Sequence, residues 1–183
     1  MHKHVYIDPR CLATSLVPSV LEEYHKEVSG YLFKGKGPKM RVISAYSLQT
    51  DIKMPTWVEH GNASAVKRVD RLMKTLKMNL IGGFHTHPLG PSKPSKSDIW
   101  FIQDKLAAYG LPHWLEIILS VKKKVYVHPH KIGWQLRKYE KKIGITIKTD
   151  PWTGYEITLS GFWVPPEGRF REATLWTSTR HNF

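Results

Sequence analysis

The sequence predicts an α/β (α+β) domain, a mixed β-sheet flanked by about three helices. Three observations predict it. Apolar residues recur at spacings of three and four in three separate stretches, the signature of helices with one buried face. Between those stretches lie short runs rich in Val, Ile, Leu, Tyr and Phe, bounded by Gly and Pro, which read as strands. No glycine-rich loop follows a strand, so a nucleotide-binding version of this class has no anchor.

The elements follow in order. Val17, Val20, Leu21 and Tyr24 predict a first helix from Pro18 to about Lys26. Val28 to Phe33 is a short apolar strand, and Lys34-Gly35-Lys36-Gly37-Pro38 is a turn. Met40 to Leu48 alternates and completes a hairpin. A second helix starts near Asn62 or Ser64, with Val66, Val69, Leu72, Met73 and Leu76 on one face and Lys and Arg opposite. Leu80 to Phe84 is a buried strand that runs into His85-Thr86-His87-Pro88, and Leu89 to Pro94 is a loop. Ser95-Lys96-Ser97-Asp98 opens a third helix, which Gly110 stops. Leu115 to Val121, Val125 to His128 and Ile132 to Leu136 are strands. Tyr155 to Val164 is a further hairpin arm, Pro165 to Gly168 a turn, and the final stretch a tail. Trp163 and Trp176 read as core by default, with a dimer contact or a modifier-binding surface as the other readings.

The chain has 183 residues, 41% hydrophobic and 23% charged, a globular composition for one domain. Seven tryptophans argue against disorder. The single cysteine, Cys11, excludes an intramolecular disulfide and a Cys-rich metal site, and reads as a small apolar residue in a reducing compartment. No apolar run reaches the ~18 residues of a membrane span, and the N-terminal Val-Tyr-Ile stretch is too short for a signal peptide. A cytoplasmic protein is expected. The formal charge of +13 favours acidic partners. Its cations cluster at Lys122-Lys123-Lys124 and over Arg137-Lys138 and Lys141-Lys142, where solvated strand edges are the simplest reading.

One constellation carries chemistry. His85 and His87 stand at i and i+2 where a strand ends, so their side chains point to one face with Cα atoms ~6.5–7 Å apart. Two imidazoles so placed can converge on one ion at ~2.0–2.1 Å each. Pro88 then takes the chain out of the sheet. Asp98, in the first turn of a helix, completes a His2Asp set with a fourth position left for water, the open geometry of a catalytic zinc. Ser95 caps that helix and also offers a hydroxyl to an oxyanion. A second His-x-His, His128-Pro129-His130, has no acid at a matching distance and reads as exposed or structural.

Gly83-Phe84-His85-Thr86-His87-Pro88 followed by Ser95-Lys96-Ser97-Asp98 resembles the JAMM motif of the MPN+ or JAB metalloprotease family. The Gly83–Pro88 run and the Pro94-Ser95 pair are most similar to its prokaryotic members. Glu27-Val28-Ser29-Gly30-Tyr31-Leu32 fits the family's Glu-x-x-Gly-x-Leu pattern, and the resemblance spans about residues 15 to 137. One departure is Lys34, where the family often has glycine; Gly35 follows one later. The resemblance implies an MPN/JAB-like curved mixed sheet flanked by about three helices over residues 1–150, with 151–183 a C-terminal extension packed on the same domain.

It also implies roles. His85, His87 and Asp98 would ligate one Zn2+, Glu27 would be the general base toward the attacking water, and Ser95 would steady the tetrahedral intermediate. Glu22 and Glu23 are rival bases that lack the following Gly-x-Leu. The implied activity is a zinc isopeptidase acting after the C-terminal tail of a ubiquitin-like or sulfur-carrier-like modifier. Two other functions fit the residues. A nucleic-acid-associated JAB-like protein would use the basic clusters, and a non-catalytic scaffold would not need the intact metal set.

Overall fold

A sheet that closes on itself builds this protein, not the helix-flanked curved sheet that the sequence predicts. The computed structural model describes residues 2–48, 52–53, 58–59, 63–88 and 90–178. The chain runs through β1 (His4–Ile7), α1 (Pro9–Cys11), a π-helical segment (Leu12–Leu16), α2 (Val17–Glu22), β2 (Ser29–Lys34), β3 (Arg41–Ser47), β4 (Ile52–Lys53) and β5 (Val58–Glu59). It continues with α3 (Ala63–Thr75), β6 (Asn79–Pro88), α4 (Lys96–Tyr109), β7 (Trp114–Val125), β8 (Gly133–Lys138), β9 (Ile143–Lys148), β10 (Thr153–Val164) and β11 (Arg171–Trp176).

Strands β11, β1, β3, β2, β6, β7 and β10 pair in that order, and β10 pairs back onto β11 through Gly161↔Ala173 to Trp163↔Arg171. Seven strands therefore form a closed barrel. Along its first half β10 pairs instead with β9, which carries β8, so a three-stranded extension leaves the barrel wall. The small pair β4–β5 stands apart.

The fold expectation failed at two strands. β1 has four residues, shorter than the commonest strand length of about five or six. β11 begins with Arg171 and Glu172 and buries only Ala173 and Leu175, so it read as a tail. These two pair in parallel with each other, and β1 also pairs in parallel with β3. That seam turns a curved sheet into a barrel. Smaller corrections follow the same pattern. β7 runs unbroken to Val125, so no separate strand covers Val125 to His128. β9, with Ile143, Ile145 and Ile147 alternating, was not anticipated. Helical structure begins at Pro9, capped by Asp8 whose carboxylate accepts from Arg10 N at 2.9 Å, and ends at Glu22 rather than Lys26. Asn62, Leu89 and residues 179–183 lie outside the described residues.

Two apolar clusters divide the molecule. The larger fills the barrel with Val5, Ile7, Leu32, Val42, Phe84, Leu115, Ile117, Leu119, Trp163 and Leu175, and takes in Cys11, Leu12, Leu16, Val17 and Val20 from the N-terminal helical segment. The smaller lies on the outside of the wall, where Met73 from α3 and Ile102 and Leu106 from α4 cover Tyr31, Phe33, Trp114 and Val164. Strand β2 is thus covered on both faces, which explains its unbroken apolar run. Trp163 is buried, whereas Trp176 is 42% exposed and stacks on Tyr6. Burial pushes the Cys11 thiol up to about 12, which makes it an inert core group. No helix among the described residues is long and apolar enough to cross a membrane.

Candidate metal centre

His85 and His87 point to the same outer face of β6 at the end where that strand leaves the sheet. Their Nε2 atoms stand 2.9 Å apart, and each is 3.6 Å from Oδ2 of Asp98. Asp98 arrives from the third position of α4. There Ser95 Oγ accepts from Asp98 N at 3.2 Å, and Ser95 N donates to Asp98 Oδ2 at 2.6 Å, a reciprocal capping box. The sequence spacing thus fixes the carboxylate by ordinary helix capping.

The other nitrogen of each imidazole is also tied down. His87 Nδ1 donates to the Pro91 carbonyl at 2.6 Å, and a carbonyl can only accept. His85 Nδ1 donates to Glu116 Oε1 at 2.6 Å. With Nδ1 donating in each ring, the two Nε2 atoms and one carboxylate oxygen turn toward a single point. Such a donor set fits a cation, and His85, His87 and Asp98 form a group that could hold a metal ion.

The electrostatics say the same. Burial disfavours charge on His85, but hydrogen bonds to Asp98 and Glu116 outweigh it and bring the imidazole up to about 10. Burial also opposes charge on Asp98, yet the two histidines hold its carboxyl far below the usual carboxylate range. The centre is thus built to receive positive charge.

Glu27 is held by the residue between the two histidines. Thr86 Oγ1 accepts from Val28 N at 2.8 Å and donates to the Lys26 carbonyl at 3.2 Å, while Thr86 N donates to the Val28 carbonyl at 2.9 Å. Residues on both sides of Glu27 are thereby pinned to the His-x-His turn. Glu27 lines one cleft of about 230 Å³ with His85 and Asp98. Burial pushes its carboxyl up, partly countered by His85 and His87. The rival Glu22 is exposed on α2, and Glu23 pairs with Lys26; neither lines that cleft.

Ser95 is exposed, with its hydroxyl in the cap and 2.8 Å from Ser97 Oγ, and Ser97 lines the cleft. Apolar walls come from Tyr31, Ile102 and Trp114, and the solvent-facing side chain of Trp100 stands at the rim. Ser29 Oγ, buried beside His85 in the β2–β6 register, has no partner among the described residues. His128 and His130 are exposed, and neither belongs to the candidate metal group.

Sequence reasoning missed Glu116. It is 4% exposed on β7, and besides His85 it accepts from Trp114 Nε1 at 2.6 Å. A Cβ at Gly83 would sit 2.9 Å from the Trp114 ring and 3.3 Å from Glu116 Oε2, so glycine makes room for this pair. The available signal was a lone carboxylate inside the apolar run Leu115 to Val121.

The family model describing prokaryotic homologues of the JAB domain matches residues 9–132. A protein from Desulfitobacterium hafniense, known from a solution structure, shares the fold with a TM-score of 0.57 at 16% identity, covering 97% of this chain and 95% of that one. No curated protein matches the chain.

Proposed function

The chain belongs to the family of prokaryotic JAB-domain proteins, and from that membership and its His2Asp cluster we propose that it is a zinc-dependent metallo-isopeptidase. Its substrates are peptide or isopeptide bonds that follow the C-terminal tail of a ubiquitin-like or sulfur-carrier-like modifier. The observation that carries the reading is the convergence of His85 Nε2, His87 Nε2 and Asp98 Oδ2 beside the Glu27 carboxylate.

Zinc fits the donor set. The three ligand atoms stand 2.9, 3.6 and 3.6 Å apart. A tetrahedral ion with bonds of ~2.0–2.1 Å spaces its ligands by about 3.4 Å. Two imidazoles and a carboxylate also leave one position open, as catalytic sites do. Zinc held there would supply Lewis acidity for the scissile carbonyl and the attacking water.

The protein's own groups do the rest. Glu116 and the Pro91 carbonyl hold the two imidazoles in the tautomer that presents Nε2. Glu27 takes a proton from the attacking water at its carboxylate and passes it to the leaving amine nitrogen. Its raised affinity for protons suits both halves of that transfer. Ser95, at the positive end of α4, offers its hydroxyl to the developing oxyanion.

Metal analysis with a conjugate-cleavage assay tests the reading. The expected results are one zinc per chain, loss of zinc in His85→Ala, and retention of zinc with turnover lowered ~10²–10⁴-fold in Glu27→Gln. Protein that neither contains nor takes up zinc overturns the metal assignment. A fully active Glu27→Gln enzyme overturns the base.

A further inference from the structure

The largest unexplained feature of the sequence is its charge of +13. Strand register shows where part of it goes. Residues paired across neighbouring strands put their side chains on the same face. His87 pairs with Ser120, Ser120 with Thr158, Thr158 with Gly144 and Gly144 with Arg137. The next row outward is Lys122, Glu156, Thr146 and Gln135, and the one after is Lys124, Gly154, Lys148 and Gly133. The outer face of β7, β10, β9 and β8 is therefore one surface with the metal centre. Two contacts support this continuity: Ser120 Oγ donates to the Gly90 carbonyl at 3.0 Å, and Lys142 Nζ donates to Ser92 Oγ at 2.9 Å.

The three rows carry Lys122, Lys124, Lys148 and Arg137 against one carboxylate, Glu156, which pairs with Lys124 at 3.3 Å. Lys122 and Lys124 are about 6.5–7 Å apart along the strand, and Lys124 and Lys148 about 9.5 Å apart across two strand spacings. Helices α3 and α4 cover the other end of the wall; in these rows Lys122 and Arg137 are exposed, and Lys124 and Lys148 are half-buried.

Aromatic rings stand among the cations. Gly154 and Gly144 lack a Cβ where the Tyr126 and Tyr139 rings come down: a Cβ would lie 3.1 Å from Tyr126 Cε2 and 2.5 Å from Tyr139 Cε2. Lys148 Nζ lies 5.5 Å above the Tyr126 ring, and Tyr139 is 51% exposed. An acidic protein needs only the charges. A single-stranded nucleic acid uses both features, its phosphates meeting the cations and its bases stacking on rings of any sequence context. We propose that this outer face binds single-stranded nucleic acid, an activity separate from hydrolysis.

Fluorescence anisotropy of a labelled twenty-nucleotide oligo-dT, titrated with the full-length protein over a range of KCl, tests it. Engagement of all four cations predicts a log–log salt slope of about −3, from roughly 0.7 per phosphate on a single strand. The fourfold variant Lys122→Gln, Lys124→Gln, Lys148→Gln, Arg137→Gln is expected to flatten that slope, with zinc content and melting temperature serving as controls for folding. Tyr139→Ala is expected to weaken binding by roughly tenfold, and His85→Ala to leave it unchanged. The proposal is overturned if oligo-dT fails to bind at low salt. It is also overturned if a twenty-residue poly-glutamate peptide competes as well as unlabelled oligo-dT, which would mark the face as a dock for acidic protein.

Discussion

Replacing Glu116 with glutamine keeps the shape of the side chain and removes its charge. In the parent, one oxygen accepts from His85 Nδ1 and the other from Trp114 Nε1, both at 2.6 Å. An amide has a single oxygen, so its NH2 group must face one of those N–H donors. If it faces Trp114, a buried N–H loses its acceptor, at a cost of about 1–3 kcal/mol. If it faces His85, the ring gains by moving its proton to Nε2, the atom that should ligate. Either way the metal loses a charged group one bond behind its ligand. Partners of this kind alter metal affinity by about 10–100-fold, or roughly 1.4–2.7 kcal/mol. Competition against a chromophoric zinc chelator measures the dissociation constant, and melting curves in excess EDTA measure the apo fold separately. Trp114→Phe serves as the control, because it leaves Glu116 free to hold His85 and should cost less affinity. A Glu116→Gln protein that binds zinc within twofold of the parent would refute the idea that this carboxylate orients His85.

Other perturbations test the rest of the structure. Thr86→Val keeps the side-chain volume but leaves Val28 N and the Lys26 carbonyl without their Oγ1 partner; turnover should fall with zinc content unchanged, while equal loss of both would show that Thr86 supports the ligands instead. Leu175→Ala, in the fully buried part of β11, should cost about 2–5 kcal/mol, read as a lower melting temperature at unchanged zinc stoichiometry; a neutral result would mean that the β10–β11–β1 seam contributes little. For Asp8, burial raises the carboxyl, but the Arg41 hydrogen bond and the Arg10 amide outweigh it and hold it below its usual value. Its stabilisation is therefore present above the unfolded value near 3.9 and is lost as pH falls through the lower folded value. Asp8→Ala should be about 1 kcal/mol less stable than the parent in denaturant at pH 6, and the gap should close toward pH 2; a gap independent of pH would assign the effect to something other than the carboxylate.

The cluster of His85, His87 and Asp98 was readable because each member obeys a local rule. Alternation along a strand puts His85 and His87 together, and the capping box puts Asp98 at a fixed place in α4. Glu27 was singled out only through its family pattern, because the clamp that places it beside the cluster, Thr86 to residues 26 and 28, joins segments about sixty residues apart. Glu116 stayed hidden because a carboxylate in an apolar run looks like an interruption until its two N–H partners are known. The barrel was hidden for a similar reason. Nothing near β1 or β11 states that His4 pairs with Thr174. Their short alternating patterns are what any exposed edge would show. The sheet extension was misread more narrowly: Val125 ends β7, and the next turn absorbs Tyr126 to Pro129.

That seam between β1 and β11 also has a meaning in time. His85, His87, Asp98 and Glu27 lie within the first 98 residues, and the chain reaches β7, with Glu116, soon afterwards. The strand that closes the barrel comes roughly seventy residues after Asp98, a delay of about 4–15 s at synthesis rates of about 5–20 residues per second. Contacts between the N-terminal strand and β11 are the most distant in the sequence, and such contacts form slowly. The nascent chain thus contains all three residues of the candidate metal group before the closing strand is made. The seam is the last part of the barrel to be made, and it closes on a wall whose cluster residues were synthesised earlier.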